Sequence, residues 1–311
     1  MKKRFILCRI VLAVCVAALL ITFGGVNSYA AEKTKTQTAK VTVTATPTPK
    51  PKKGLIKEKG GYRYYVKNKP LKNAWKRINS RYYWFKGNGY AAQSGTFKIK
   101  NTYYVFDERA RRLAPKKSSV QKVKNNRYFV TSKGTPVSVG WHEYNGKMYY
   151  VYRDGKCAAN RTVGGIRFTK DGYASNMDQV KCKLAAKKFI AQHTTANMTK
   201  EQKLRACFNY IVGYNRFVGN MSPTKEEFQT TTWVYKYGLQ MFRNGLTGNC
   251  YGISSSFAAV AKELGYQPYV ITIPEGHGFV MIDGRYYDNM YGGLFNAVTR
   301  PAYYVLQKIK F

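Results

Sequence analysis

Cys250 sits in Gly248-Asn249-Cys250-Tyr251-Gly252, directly ahead of Ile253, Phe257, Val260 and Leu264, an apolar stripe at helical spacing that stops at Gly265. This spacing puts the thiol at or just before a helix N-terminus, where unpaired backbone N–H groups and the helix dipole favour a thiolate. A lone cysteine is usually buried and inert. The flanking glycines argue for the reactive reading here, because they let another backbone or a ligand approach closely.

A nucleophilic thiol needs a base, and the chain has three histidines: His142, His193 and His277. His142 falls in a repeat, and His193 ends a helix, where a histidine is ordinary. His277 opens a strand. Tyr269–Ile273 reads as one strand, Pro274-Glu275-Gly276 as a turn and His277–Ile282 as the next strand. Asp283-Gly284 is a two-residue hairpin turn, and Arg285–Asp288 returns antiparallel. This turn sets Ile282 opposite Arg285 and Phe279 opposite Asp288. Alternation then places His277, Phe279 and Asp288 on one face, with His277 and Asp288 diagonal neighbours. Asp283 lies in the turn, far along the strand from His277, so Asp288 is the expected orienting acid.

These residues need a scaffold. Val180–Ile190 has helical periodicity, and a second helix opens at Thr199 with Gln202 three residues later, a capping-box pattern, then runs through Leu204, Phe208 and Ile211. A third helix is expected over Lys225–Phe242, weakened by Thr230, Thr231 and Thr232. A cysteine before a helix, a histidine on a following strand and an acid on the next together resemble the transglutaminase-like superfamily, over roughly residues 176–311. The strongest local matches are Gly248–Gly252, Leu264–Pro268 and Gly276–Val280. The resemblance implies an α+β, papain-like domain with Cys250, His277 and Asp288 as catalytic residues. It implies that Cys250 attacks an amide carbonyl, that His277 carries the proton and that Asp288 holds the imidazole. The thioester would pass to an amine, giving a crosslink, or to water, giving hydrolysis. The oxyanion needs a donor besides the Cys250 N–H, for which Asn244 and Asn249 are candidates. Many relatives have Ala-Trp after the histidine and Pro-Thr after the aspartate. Here Gly278-Phe279 and Asn289-Met290 stand there, leaving crosslinking and cleavage both open.

Upstream, residues 54–175 carry an internal repeat. Aromatic pairs recur at Tyr64-Tyr65, Tyr82-Tyr83, Tyr103-Tyr104, Tyr128-Phe129 and Tyr149-Tyr150, with a weaker echo at Phe168, a period of about 20 residues. In Gly140–Gly155, Asn145-Gly146 is a hairpin turn between two aromatic-rich strands. Hairpins this short must stack to bury their faces. The segment resembles the cell-wall-binding repeats of Gram-positive surface proteins, which implies an all-β hairpin solenoid. The choline-binding branch uses aromatic cages for quaternary ammonium groups. This chain departs from that branch: a tryptophan ahead of the pair survives only at Trp75 and Trp141, and lysines crowd the other units. A wall glycan or anionic wall polymer is therefore expected, with Trp75, Tyr82, Trp84, Trp141 and Tyr149 as candidate binding residues. Packing of hairpin on hairpin accounts for more than half of the tyrosines.

Lys2, Lys3, Arg4 and Arg9, the apolar run Ile10–Phe23 and Ser28-Tyr29-Ala30 read as a signal peptide over residues 1–30, with an uncut anchor or a lipid-modified Cys15 as alternatives. Residues 31–53, rich in Thr, Lys and Pro, read as a linker. The formal charge of +38, from 53 basic and 15 acidic residues, falls to +34 once those four basic residues are removed. Such a field attracts polyanions. For an exported protein that means wall polymer or an anionic surface rather than nucleic acid. Cys157, Cys182, Cys207 and Cys250 remain, too few for a disulfide scaffold, although Cys182 and Cys207 leave one bridge open. No CxxC pair points to zinc, and a triad of this kind implies no cofactor. The expectation is a multidomain protein of the Gram-positive cell surface or wall. It would have no membrane span after signal cleavage and would act on a peptide or protein substrate as a thiol acyltransferase or peptidase. The alternative is a non-enzymatic wall-binding scaffold whose second domain binds peptides.

Overall fold

Six hairpins follow one another along the first half of the chain. β1 (Gly54–Glu58) pairs with β2 (Gly61–Val66), edged by β3 (Lys69–Pro70). β4 (Ala74–Ile78) pairs with β5 (Arg81–Phe85), and β6 (Gly95–Ile99) with β7 (Thr102–Phe106). β8 (Ser119–Val123) pairs with β9 (Asn126–Val130), and β10 (Gly140–Tyr144) with β11 (Lys147–Val151). The short β12 (Thr162–Val163) and β13 (Ile166–Arg167) close the series. The computed structural model describes residues 50–311, so the expected signal peptide at 1–30 and nearly all of the linker at 31–53 lie outside the described residues. No helix among the described residues is long and apolar enough to cross a membrane.

A two-stranded hairpin of this length is marginal alone. Here the connector after each hairpin reaches back to an earlier one. Ala91 N–H donates to Tyr62 O (2.7 Å), Arg112 N–H to Tyr82 O (2.8 Å), Cys157 N–H to Arg127 O (2.8 Å) and Ala174 N–H to Met148 O (2.8 Å). The cores between units are small and separate. Tyr83, Phe85, Ala91 and Ala110 form one, and Ala92, Ile99 and Phe106 the next. The last core includes Met148, Ile166, Phe168 and Val180, so the final hairpins and the first helix share buried surface without an intervening linker.

That helix, α1 (Met177–His193), is followed by α2 (Lys200–Tyr214), whose Thr199–Gln202 capping box forms both of its hydrogen bonds. The single helix expected over Lys225–Phe242 is two: α3 (Lys225–Phe228) and α4 (Trp233–Arg243). The threonines cause the break. Thr230 Oγ1 donates to Glu227 O (2.9 Å) and accepts from Thr232 N–H (3.3 Å), which turns the chain out of the helix. β14 (Arg216–Phe217) and β15 (Thr247–Gly248) form a short parallel pair just ahead of α5 (Cys250–Glu263). α5 is the axis of this half, with every residue from Cys250 to Ala261 buried. Its far side meets α1, α2 and α4, and its near side meets a five-stranded antiparallel sheet. The sheet comprises β16 (Pro268–Ile273), β17 (His277–Ile282), β18 (Arg285–Asp288), β19 (Leu294–Ala297) and β20 (Gln307–Lys310), in the order β19-β18-β17-β16-β20.

The four cysteines among the described residues are all free. Cys182 and Cys207 do not bridge. Burial pushes both thiols up, that of Cys207 to about 11, so they behave as small core hydrophobes.

Candidate active site

Cys250 is the first residue of α5. Asn249 caps that helix, its Oδ1 accepting from Tyr251 N–H (3.1 Å) while its Nδ2 donates to Ser222 Oγ (2.8 Å). The amide is thereby held by the 219–222 loop. Asn244, the other expected oxyanion donor, is the exposed C-cap of α4. Neither amide is free at the sulfur. Tyr251 N–H is taken by the Asn249 cap and Ile253 N–H by Asn249 O (2.9 Å), which leaves the Cys250 and Gly252 N–H groups as the first-turn donors at hand. The glycines beside Cys250 serve packing: a Cβ on Gly248 or Gly252 would meet Met241 Sδ at 2.5 or 2.9 Å. They seat α4 against α5, where the Tyr237 backbone carbonyl also lies 3.7 Å from a Cβ placed on Gly252.

The hairpin register holds as expected. Ile282 pairs with Arg285 and Val280 with Tyr287 across a turn in which Asp283 and Gly284 both have positive φ, 48° and 75°. Continuing that ladder brings Asp288 to His277, whose Nε2 donates to Asp288 Oδ1 at 2.8 Å. Asp283 is exposed in the turn. Gly278 is required by close approach, since a Cβ there would lie 3.0 Å from the Tyr251 ring on α5. Strand and helix can therefore close up and carry His277 to the Cys250 end of the helix. With Nε2 committed to Asp288, Nδ1 is the ring nitrogen left for the thiol. The thiol itself donates to Gly276 O at 3.6 Å.

The electrostatics follow from these contacts. Burial alone would depress His277. Hydrogen bonds to Asp288 and Cys250, together with their charges, outweigh it and raise the imidazole to about 9. Asp288 is 1 % exposed, and burial would raise it. Hydrogen bonds from His277, from Met290 N–H (2.9 Å) and from Arg300 instead hold it below the usual carboxylate range.

Arg300 was not singled out in the sequence. Its Nε donates to Asp288 Oδ2 at 2.9 Å, its guanidinium lies 3.8 Å from the Phe279 ring centre, and its side chain is 1 % exposed. Asp288 is thus clamped on both oxygens. Cys250, His277 and Arg300 open onto one cleft of about 480 Å³, rimmed by Glu275 and the exposed Phe217 and Tyr291. A second cavity of about 250 Å³, lined by Lys183, Lys262 and Glu263 near the β12–β13 turn, holds no thiol or imidazole.

The candidate binding residues of the repeats are spread over different hairpins. Trp75 packs on Trp84 (5.5 Å), Tyr104 (5.1 Å) and Phe106 (5.9 Å). Trp141 stacks on Phe168 (5.6 Å), and Tyr149 is buried against Phe129 and Tyr173. Tyr82 is the most open of the five, at 39 % exposed. Most of these rings hold hairpin to hairpin.

No family model matches the chain, and no curated protein matches it. Among solved structures it is similar to choline binding protein F from Streptococcus pneumoniae, with 24 % identity over 40 % of this chain and 48 % of that one, TM-score 0.23. It is similar to the multimodular pneumococcal cell wall endolysin from phage Cp-1 complexed with choline, with 21 % identity over 41 % of this chain and 38 % of that one, TM-score 0.31. It is also similar to the modular autolysin LytC from Streptococcus pneumoniae, with 21 % identity over 39 % and 28 %, TM-score 0.27. The chain spans less than half the length of each of these.

Proposed function

We propose that residues 176–311 form a cysteine acyl-transfer domain of the transglutaminase-like type acting on peptide or protein amides, held at the wall of a Gram-positive cell by the hairpin array. One observation carries the enzymatic part. His277, bonded to the buried Asp288 at 2.8 Å, opens onto the same cleft as a thiol at a helix N-terminus. Wall association rests on the array itself and on the excess positive charge, which draws phosphate-rich polymers.

In this reading the Cys250 thiol gives its proton to His277 Nδ1 and attacks the amide carbonyl, forming a C–S bond. First-turn N–H groups of α5 hold the oxyanion. As the C–N bond breaks, the imidazolium returns the proton to the leaving amine. An incoming amine or water then attacks the thioester, giving its own proton to His277, and the thiolate departs. Asp288, fixed by Arg300 and Met290 N–H, keeps the proton on Nε2 throughout and steadies the imidazolium.

The thiol's hydrogen bond to Gly276 O favours a second reading, a non-catalytic peptide-binding domain on a wall-binding scaffold. Incubating the chain with a glutamine-containing protein, wall peptides and a labelled primary amine separates the two. Mass spectrometry should show amine incorporation, deamidation or backbone cleavage that depends on Cys250. No product, together with a thiol-directed probe that ignores Cys250 in the folded chain, would leave only the scaffold.

A further inference from the structure

The groove between the β4–β5 and β6–β7 hairpins holds a cation of the chain's own. The Arg112 guanidinium lies 4.6 Å from the Tyr82 ring centre, 5.7 Å from Trp75 and 5.9 Å from Tyr104. Its place is fixed by the backbone, since Arg112 N–H donates to Tyr82 O at 2.8 Å and Arg112 bridges to Phe106. Three rings around one positive group make the kind of cage that attracts a cation. An external quaternary ammonium ion would have to displace the arginine to enter.

The same guanidinium has no hydrogen-bond or carboxylate partner among the described residues, and its Nε is buried without one. The nearby carboxylate is already committed. Asp107 accepts from Arg111 Nε (2.7 Å), Arg111 N–H (2.8 Å) and Arg109 N–H (2.9 Å). A pocket of about 150 Å³ beside it is lined by Arg81, Arg111, Arg112 and Asp107. Arg81 is exposed and likewise has no ion pair among the described residues. Three guanidiniums thus face one carboxylate, and two of them are uncompensated. Contact with the rings pre-organises the Arg112 guanidinium, whose planar fork matches an oxyanion through two parallel N–H donors.

We propose that this groove is an oxyanion-binding site for phosphate groups of a polymer, with Arg112 both plugging the aromatic cage against cations and supplying the anion contact. It rests on the wall-polymer part of the reading above and is independent of any catalysis. Binding of pyrophosphate and of tetramethylammonium to the full chain at low salt, followed by calorimetry, tests it. The wild type should bind pyrophosphate and ignore tetramethylammonium. Arg112→Gln should weaken pyrophosphate about tenfold, in line with losing one charge-assisted contact. Arg81→Gln, an exposed change that keeps the test open if position 112 proves necessary for folding, should also weaken it. Lys188→Gln, an equal loss of charge on the exposed face of α1, should leave it unchanged. Arg112→Ala should gain tetramethylammonium binding. Pyrophosphate binding that is unchanged in both arginine variants, or weakened equally by Lys188→Gln, overturns the site. A wild type that binds tetramethylammonium, or an Arg112→Ala chain that gains none, overturns the plug. Co-sedimentation with purified walls tests wall association separately, so a chain that sediments yet ignores pyrophosphate loses this site alone.

Discussion

The hairpin array and the C-terminal domain bury their aromatic residues in opposite ways. The array divides them among small clusters, each shared by neighbouring hairpins, with cations laid over the outer rings: Arg63 over Tyr90 (3.9 Å), Lys147 over Tyr173 (4.1 Å). The domain gathers most of its own into one large core around α5, where Phe257 touches both Phe208 and Tyr287, and keeps a second, smaller cluster of Phe279 with Tyr286 and Tyr303. Its buried arginine is tied to the Asp288 carboxylate. The difference separates two kinds of work. A core divided among units suits many weak, similar contacts along a polymer. A large core around one buried helix can hold one thiol, one imidazole and one carboxylate in fixed relation.

That contrast can be broken most sharply at the thiol. Cys250→Ala should cut amine incorporation or hydrolysis by at least about 10³-fold, while wall binding by the array stays intact in co-sedimentation. Asp288→Asn should follow, with a loss on the order of 10²–10⁴-fold from the disturbed imidazole. It should also move the alkaline limb of the pH–rate profile. On the acyl-transfer reading the thiolate–imidazolium pair is the attacking form. With His277 raised to about 9, activity should fall as pH rises through that value and the imidazolium loses the proton it must give the leaving amine. The asparagine variant should lose activity at lower pH, because it lacks the hydrogen bond and charge that raise the imidazole. The sign for stability is the same. The pair's contribution from His277 is complete below about 6.5, the imidazole's ordinary value, and is lost as pH rises through about 9. At the acid end, the contribution of the lowered Asp288 is present above its ordinary value of 3.8 and fades as pH falls below it.

Two core truncations carry the comparison into stability. Phe257→Ala should cost about 3–5 kcal/mol and lower the melting of the whole C-terminal domain in calorimetry. Phe85→Ala removes an equally buried ring from the array. Its effect on the domain should be the smallest of the set: hydrogen exchange should quicken in β4, β5 and the adjoining hairpin, with the domain transition unmoved.

What the sequence disclosed was local. The side-chain period of a strand and a two-residue turn suffice to carry Asp288 to His277, because every link in that inference spans a dozen residues or fewer. The capping box at Thr199 and the start of α5 at Cys250 are local in the same sense. The features that stayed hidden depend on distant contacts. Arg300 lies outside any helix or strand, with no period to mark it, and meets Asp288 only through the loop that follows β19. Gly248 and Gly252 looked like room for another backbone or a ligand, and only the packing of α4 showed that Met241 and the Tyr237 backbone take it. The break at Thr230 was signalled by composition, yet the strength of that signal depends on a hydroxyl finding Glu227 O. In the repeats, the aromatic pairs announced hairpins. Nothing in their spacing told which rings would be covered by neighbours and which by an arginine from the following unit.

The backward hydrogen bonds of the connectors bear on how such a chain changes over generations. Each one ties a hairpin to its earlier neighbour, and side chains reach one unit further, Thr96 Oγ1 donating to Asp154 O (2.6 Å) and Arg127 pairing with Asp171 (2.7 Å). Whole units can therefore be duplicated or deleted at the N-terminal side with the remaining ties intact. The final hairpins have no such freedom, because Ala174 is bonded to Met148 while Ile166, Phe168 and Val180 share one core. Growth and loss of the array are therefore confined to its distal units, and the unit beside α1 is inherited together with the domain that carries the thiol.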